Sequence, residues 1–162
     1  MKQTRIISAF PGTGKTHFFE NNTKYSVLDS DSSEYSWVKV GGDKVRHPDW
    51  PQNYLGHIQE NIGKVDFILV STHKEVRDLL LASCLHFYLV FPAPSKKDEY
   101  LKRYMDRASP QSFIDLLDGQ WDSWIAELVA CSRGCTRIVM EGKNHHLDNM
   151  LGGLMRDEEG ED

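Results

Sequence analysis

Residues 9–16 read Ala-Phe-Pro-Gly-Thr-Gly-Lys-Thr and carry the residue types that can surround a phosphate group. They follow the pattern G-x-x-x-x-G-K-[ST], with an alanine in place of the first glycine. Glycines at these positions let backbone N–H groups turn inward around a phosphate. Lys15 would reach the β- and γ-phosphates, and the Thr16 hydroxyl would bind Mg²⁺. The residues expected to contact the nucleotide here are Pro11, Gly12, Thr13, Gly14, Lys15 and Thr16.

Asp29 and Asp31 form a second candidate group, because they directly follow the apolar run of residues 25–28. In a parallel sheet, ligands collect beyond the carboxyl ends of the strands, so both carboxylates are expected near a bound ligand. Aspartates and serines of this kind are also common in helix caps and Asx-turns. That alternative stays open at this point.

Arg103 and Arg107 are four residues apart and therefore share one face of a predicted helix. A guanidinium group is planar, always charged and able to bind phosphate oxygens in a bidentate manner. The pair is thus a candidate for gripping a phosphoryl group. The open alternative is a solvated helix on which Arg103 forms ion pairs with Glu99 and Asp106.

The elements that would position these residues alternate between strand and helix. Strands are predicted at residues 5–10, 25–28, 65–70, 86–91 and 138–140, and helices at residues 17–20, 52–62, 74–81, 96–107, 111–130 and 147–151. Residues 34–51, which include Gly41-Gly42 and two prolines, are expected to be irregular. The alternation predicts an α/β fold in which helices cover both faces of a parallel sheet.

Composition and charge exclude several classes of protein. Of the 162 residues, 40% are hydrophobic and 27% are charged, which is typical of a globular domain. No apolar run approaches the ~18 residues of a membrane span. The net charge of −5 falls mostly on residues 156–162, which hold one base and five acids, so the rest of the chain is close to neutral. This near-neutral charge argues against nucleic acid as the main partner, and the three cysteines fit a reducing cytoplasm.

Residues 6–16, followed by residues 28–32, resemble the small-molecule and nucleoside monophosphate kinases of the P-loop class, such as shikimate, gluconate and adenylate kinases. The chain is also similar to short phage-encoded proteins labelled nucleotide kinase or AAA-type ATPase. The order of features agrees over residues 5–151. The resemblance implies a three-layer P-loop NTPase fold with a five-stranded, mainly parallel sheet. It implies one domain at residues 1–155, and an acidic tail at residues 156–162 is expected to be disordered.

The same resemblance implies an ATP- and Mg²⁺-dependent phosphotransferase. It would move the γ-phosphoryl group to a small acceptor, with a (deoxy)nucleoside monophosphate as the first choice. Asp29 would support the metal beside Thr16, and Asp31 would face the acceptor. Residues 96–112 would form a lid, and Asn144 lies where such kinases hold adenine. The implied catalytic residues are Lys15, Asp31, Arg103 and Arg107.

The acceptor would bind in an insertion at residues 34–63. The candidate acceptor contacts are Asp31, Trp37, Arg46, Trp50 and Thr72. Aromatic faces can stack on a base, and an arginine can pair with a phosphate. Two alternatives stay open: a kinase of a nucleoside or metabolite hydroxyl that uses Asp31 as the base, and a nucleotide-dependent binding or switch protein without enzymatic activity.

Overall fold

Five parallel strands form the central sheet of the computed structural model, which describes residues 2–142, 146–147, 150–151 and 153–154. In chain order the elements are β1 (Arg5–Ala9), α1 (Lys15–Asn21), β2 (Val27–Asp29), α2 (Ser33–Ser36), β3 (Trp37–Val40), β4 (Asp43–Arg46), α3 (Gln52–Asn61), β5 (Phe67–Val70), α4 (Lys74–Ala82), β6 (Phe87–Pro92), a 3₁₀ turn (Pro94–Lys96), α5 (Lys97–Asp106), α6 (Gln111–Ala130) and β7 (Cys135–Met140). Leu147, Met150 and Leu151 are also helical.

The sheet has the strand order β2-β5-β1-β6-β7, and every pair of neighbouring strands is parallel. This confirms the predicted α/β class and is consistent with a three-layer P-loop-like fold. All residues of β1 and β5 are buried, because helices cover both sides of the sheet. The continuous apolar runs in these two strands are the sequence signal of that double burial.

Successive side chains of the central strands point to opposite faces of the sheet and belong to two separate hydrophobic clusters. Ile6 and Ile68 point to the larger cluster, which α3, α4, α5 and α6 cover. Ile7 and Leu69 point to the smaller cluster, which contains Phe18 of α1 together with Leu147 and Leu151. Residues 9–16, here called the phosphate loop, begin at the end of β1, the central strand. They therefore lie at the carboxyl edge of the sheet, between these two layers.

The expectation of irregular structure at residues 34–51 is wrong. After the single turn of α2, strands β3 and β4 form an antiparallel hairpin around Gly41-Gly42, whose φ angles are 60° and 89°. A tight two-residue hairpin turn requires positive φ angles, which glycine adopts readily, so two consecutive glycines are typical of it. The residues of both strands are exposed, so no alternation of buried and exposed positions reveals them in the sequence.

Strand β7 begins at Cys135, three residues before the predicted start. It is an edge strand that pairs only with β6, and most of its residues keep contact with solvent. Its polar first half therefore carries no apolar run that would mark it as a strand. Among the described residues, none of the helices combines the length and the apolar character that a bilayer crossing requires.

Candidate phosphate-binding site

The loop between β1 and α1 has the backbone conformation that its glycines allow. Gly12 and Gly14 have φ angles of 87° and 101°, in the left-handed region that residues with a Cβ atom rarely adopt. Thr13 is fully buried, and its hydroxyl donates a 2.7 Å hydrogen bond to the carbonyl oxygen of Phe10. Helix α1 begins directly after the loop, at Lys15. The strand–loop–helix context expected for this motif is therefore present.

Helix α5 holds the loop from its outer side. The Tyr104 hydroxyl donates a 2.7 Å hydrogen bond to the carbonyl oxygen of Pro11, and Arg103 Nη1 donates one of 2.7 Å to the carbonyl oxygen of Gly12. A Cβ atom at Gly12 would lie 2.8 Å from Tyr104 Cε1. These contacts fix two loop carbonyls toward α5 and limit how the loop can turn.

Lys15 is a half-buried cation on which the charges of two carboxylates act. Loss of hydration on burial lowers the pKa of Lys15, and the charge of Arg107 lowers it further. The negative charges of Asp29 and Asp31 act in the opposite direction. Because burial outweighs these carboxylates, the ammonium group lacks sufficient compensation for its lost water. An anion bound beside Lys15 would supply that compensation.

A cavity of about 670 Å³, here called the phosphate cavity, opens above the loop. Its walls include Gly12, Gly14, Lys15, Thr16, Arg103 and Arg107. The structure thus brings the two candidate arginines to the same cavity as the loop. His146 also lines this cavity. Asn144, the predicted adenine contact, lies outside the described residues, and so does the predicted acidic tail.

The two arginines contact different groups. Arg103 Nη2 forms an ion pair of 3.1 Å with Glu99, in addition to its bond to the loop. Arg107 Nε donates a 3.0 Å hydrogen bond to the Ser109 hydroxyl, and its guanidinium lies 5.1 Å from the centre of the Tyr104 ring. Arg103 therefore supports the loop backbone, whereas Arg107 faces the cavity from an exposed position.

The predicted lid is a packed part of the fold. Tyr100 and Tyr104 of α5 are buried in the larger cluster, where the Tyr100 ring centre lies 5.8 Å from that of Trp121 on α6. A movement of residues 96–112 would have to separate these rings. Whether the segment moves when a ligand binds stays a prediction.

A second cavity, of about 390 Å³ and here called the apolar cavity, lies between α6 and the junction of β5 with α4. Pro11, Lys15 and Phe113 line both cavities, so the two spaces meet at Lys15. Thr72, at the carboxyl end of β5, lines the apolar cavity, and its contact with an acceptor stays a prediction. The polar lining also includes Ser71. Its carbonyl oxygen accepts a 2.8 Å hydrogen bond from the Ser8 hydroxyl.

Asp29 and Asp31 lie at the exposed end of β2 and line neither cavity. The Asp31 carboxylate accepts a 2.9 Å hydrogen bond from the backbone N–H of Ser33. This bond forms an Asx-turn, which is the alternative role that the sequence analysis considered for these aspartates. Both carboxylates still act on Lys15 through their charge. A direct contact of Asp31 with an acceptor stays a prediction.

Trp37, Arg46 and Trp50 contact one another beside the hairpin and line neither cavity. The Arg46 guanidinium lies 4.3 Å from the centre of the Trp37 ring and 6.0 Å from that of Trp50. Trp50 Nε1 donates a 2.6 Å hydrogen bond to Glu75 on α4. These three residues do not meet Thr72 in a common cavity, so their predicted role as acceptor contacts receives no support from the geometry.

Several residues of the site were missed in the sequence. Tyr104, which holds the loop, and Phe113, which lines both cavities, are far from the motif in sequence. Both are apolar-face residues of predicted helices, so they read as ordinary core positions. Only the tertiary arrangement distinguishes a residue that fills the core from one that lines a cavity.

No model of a known protein family matches the chain, and a search of the curated proteins finds no match either.

Proposed function

We propose that this protein is an ATP-dependent phosphotransferase that moves the γ-phosphoryl group to a small acceptor. The observation that carries the proposal is the position of Lys15, which lines both the phosphate cavity and the apolar cavity. Such an arrangement suits a reaction in which a donor phosphate and an acceptor approach each other at one cation. A protein that only binds a nucleotide has no need of a second cavity at that point.

The residues of the phosphate cavity fit a nucleoside triphosphate. The loop glycines adopt the left-handed conformations that such binding needs, and Lys15 and Arg107 would face the phosphate oxygens. The exposed Thr16 hydroxyl would hold a Mg²⁺ ion, which supplies charge neutralisation when bound, and Asp29, whose charge acts on the neighbouring Lys15, would support it. Phosphoryl transfer is catalysed mostly by positioning and electrostatic stabilisation, so these cations are the main catalytic contribution of the chain.

The lining of the apolar cavity favours a hydroxyl acceptor over the nucleoside monophosphate that the resemblance implied first. A monophosphate requires cations for its own phosphate, and arginine is the residue best suited to this task. Among the described residues that line the apolar cavity, Arg77 is the single arginine. It already forms an ion pair with Glu127 and donates a hydrogen bond to the Thr72 carbonyl oxygen. A hydroxyl acceptor needs no such cation.

We place this activity in the cytoplasm, where ATP is available and thiols stay reduced. The thiols of Cys131 and Cys135 lie 3.6 Å apart and are free, which is compatible with a reducing compartment.

Incubation of the full chain with ATP and Mg²⁺ and a panel of nucleosides, sugars and nucleoside monophosphates, with products read by mass, tests the proposal. We expect one class of acceptor to gain the mass of a phosphoryl group, and Lys15→Ala to abolish the product. Tight ATP binding without transfer to any acceptor would instead support a nucleotide-dependent binding protein.

A further inference from the structure

One wall of the apolar cavity is formed almost wholly by hydrocarbon from a single helix. Phe113, Leu116, Leu117, Trp124 and Leu128 of α6 all line it. The half-buried Trp124 offers an aromatic surface, which favours a flat ring as its neighbour. The volume of about 390 Å³ lies within the range of pockets for small molecules, ~300–1,000 Å³. The wall therefore selects a molecule with an apolar or aromatic ring.

The cations of the apolar cavity are poorly placed to bind a second phosphate. Arg77 is buried, donates a 2.8 Å hydrogen bond from Nε to the Thr72 carbonyl and forms an ion pair with Glu127. A ligand phosphate would therefore have to displace Glu127 from a guanidinium that already has two partners. Lys74 pairs with Asp78 at 2.5 Å on the exposed side of α4, and a single exposed ammonium gives little selectivity for a phosphate.

The polar part of the cavity lies at the end that it shares with the phosphate cavity. Thr72 and His73 follow strand β5 and line the cavity together with Lys15. Loss of hydration lowers the pKa of His73, and the nearby charge of Lys15 lowers it further. Glu75 and Asp31 raise that pKa, and Arg77 lowers it. A neutral imidazole at this position can accept a proton.

Resting on the phosphotransferase proposed above, we infer that the apolar cavity binds an uncharged, ring-bearing alcohol of about the size of a nucleoside, and that His73 accepts the proton of its reacting hydroxyl. The hydroxyl oxygen forms a bond to the γ-phosphorus of ATP while the bond from that phosphorus to the β–γ bridging oxygen breaks. The electron pair of the broken bond leaves with ADP, and the hydroxyl proton passes to the His73 ring.

The first test measures binding by calorimetry, with the full chain saturated by Mg²⁺ and a non-hydrolysable ATP analogue. The probes are adenosine, guanosine, cytidine and thymidine, each compared with its 5′-monophosphate. We expect at least one nucleoside to bind roughly tenfold or more tightly than its monophosphate, because the cations of the apolar cavity are poorly placed to pair with a second phosphate. Absence of binding by all four nucleosides, or tighter binding of the monophosphates, would overturn the inference.

A matched pair of variants on α6 locates the site. Leu116 and Val129 are exposed to similar degrees, at 49% and 42%, but only Leu116 lines the apolar cavity. Leu116→Glu should weaken nucleoside binding by about tenfold or more, since it places a carboxylate beside the ring. Val129→Glu should leave it unchanged. Equal effects of the two variants would place the nucleoside elsewhere and contradict the inference.

His73→Gln tests the proton transfer, because glutamine keeps a polar side chain but has no basic nitrogen. We expect kcat to fall by roughly 10²- to 10⁴-fold, which is the usual contribution of a general base. The KM of the acceptor should change little. Full activity of His73→Gln, or an equal loss in kcat and in acceptor binding, would remove the residue from this role. Binding of the ATP analogue to the wild type and to His73→Gln separates the outcomes. If the wild type does not bind the analogue, the phosphotransferase proposal fails too. If both proteins bind it equally, a failure of the His73 prediction overturns only this inference.

Discussion

The Tyr104 hydroxyl donates a 2.7 Å hydrogen bond to the carbonyl oxygen of Pro11, across 93 residues of sequence. Burial raises the pKa of Tyr104, so the hydroxyl keeps the proton that it donates. The bond ties a buried residue of α5 to the first turn of the phosphate loop. The conformation of the loop is therefore set by its glycines from within and by α5 from outside.

Gly12→Ala should destabilise the protein and weaken ATP binding, because the new Cβ atom would lie 2.8 Å from Tyr104 Cε1. Gly42→Ala is the matched control. Gly42 has nearly the same φ, 89° against 87°, but beyond its two chain neighbours no atom lies within 4 Å of its Cβ position. It should lose only the ~1–2 kcal/mol of left-handed strain and keep its ATP affinity. Denaturant unfolding and calorimetry measure both effects, and equal ATP affinities in the two variants would contradict the close packing of α5 on the loop.

Lys15→Met should stabilise the ligand-free protein, because it removes a cation whose burial is incompletely compensated. We expect a gain in Tm of roughly 2–4 °C, the shift that about 1 kcal/mol produces in a chain of this size. At pH values below the lowered pKa of Lys15 the wild type bears this cost in full, because there Lys15 stays charged on folding. As the pH rises through the lowered pKa of Lys15 toward the ordinary 10.5, the cost falls and the gain should shrink. A lower Tm in the variant at pH 7 would contradict the burial argument.

The two arginines should respond differently to removal. Arg103→Ala should mainly weaken ATP binding, because Arg103 holds the Gly12 carbonyl in the absence of ligand. Arg107→Ala should mainly lower kcat, since an exposed guanidinium in the phosphate cavity can strengthen its contacts as charge develops during transfer. Steady-state kinetics with varied ATP separates the two effects. Identical changes in kcat and in the KM for ATP would show that both residues act in the same way.

Asp31→Asn tests the other candidate base. The Asp31 carboxylate accepts the Ser33 N–H and lines neither cavity, so we expect a much smaller loss of kcat than the roughly two to four decades of a general base. A loss of that full size would restore Asp31 as the base and remove His73 from the role. The amide oxygen of asparagine can still accept the Ser33 N–H, so the turn should survive the change.

The conformation of the loop at residues 9–16 and the sheet were predictable from the sequence, because each depends on local patterns. The spacing of Gly12, Gly14 and Lys15 marks the loop, and the apolar runs of β1 and β5 mark strands buried on both faces. Helix α6 occupies residues 111–130, as its pattern predicted. In each case the signal and the structure occupy the same few residues.

The hairpin and the apolar cavity were not predictable in this way. The residues of β3 and β4 are exposed, so nothing in their hydropathy separates strand from loop, and only Gly41-Gly42 indicates the turn. The wall of the apolar cavity depends on how α6 crosses the end of β5. Leu116 and Trp124 therefore read as members of a helix face until the neighbouring strand is known.

Calorimetric titration of ATP with Mg²⁺ into the wild type, Lys15→Ala and Lys102→Ala tests the central claim most directly. Lys102 is an exposed lysine on α5 and lines neither cavity, so it controls for the loss of one positive charge. We expect the wild type and Lys102→Ala to bind ATP equally. Lys15→Ala should bind it at least about tenfold more weakly, since it loses a charge-assisted contact to the phosphates. Equal affinities in all three proteins would contradict the assignment of residues 9–16 as the phosphate-binding loop.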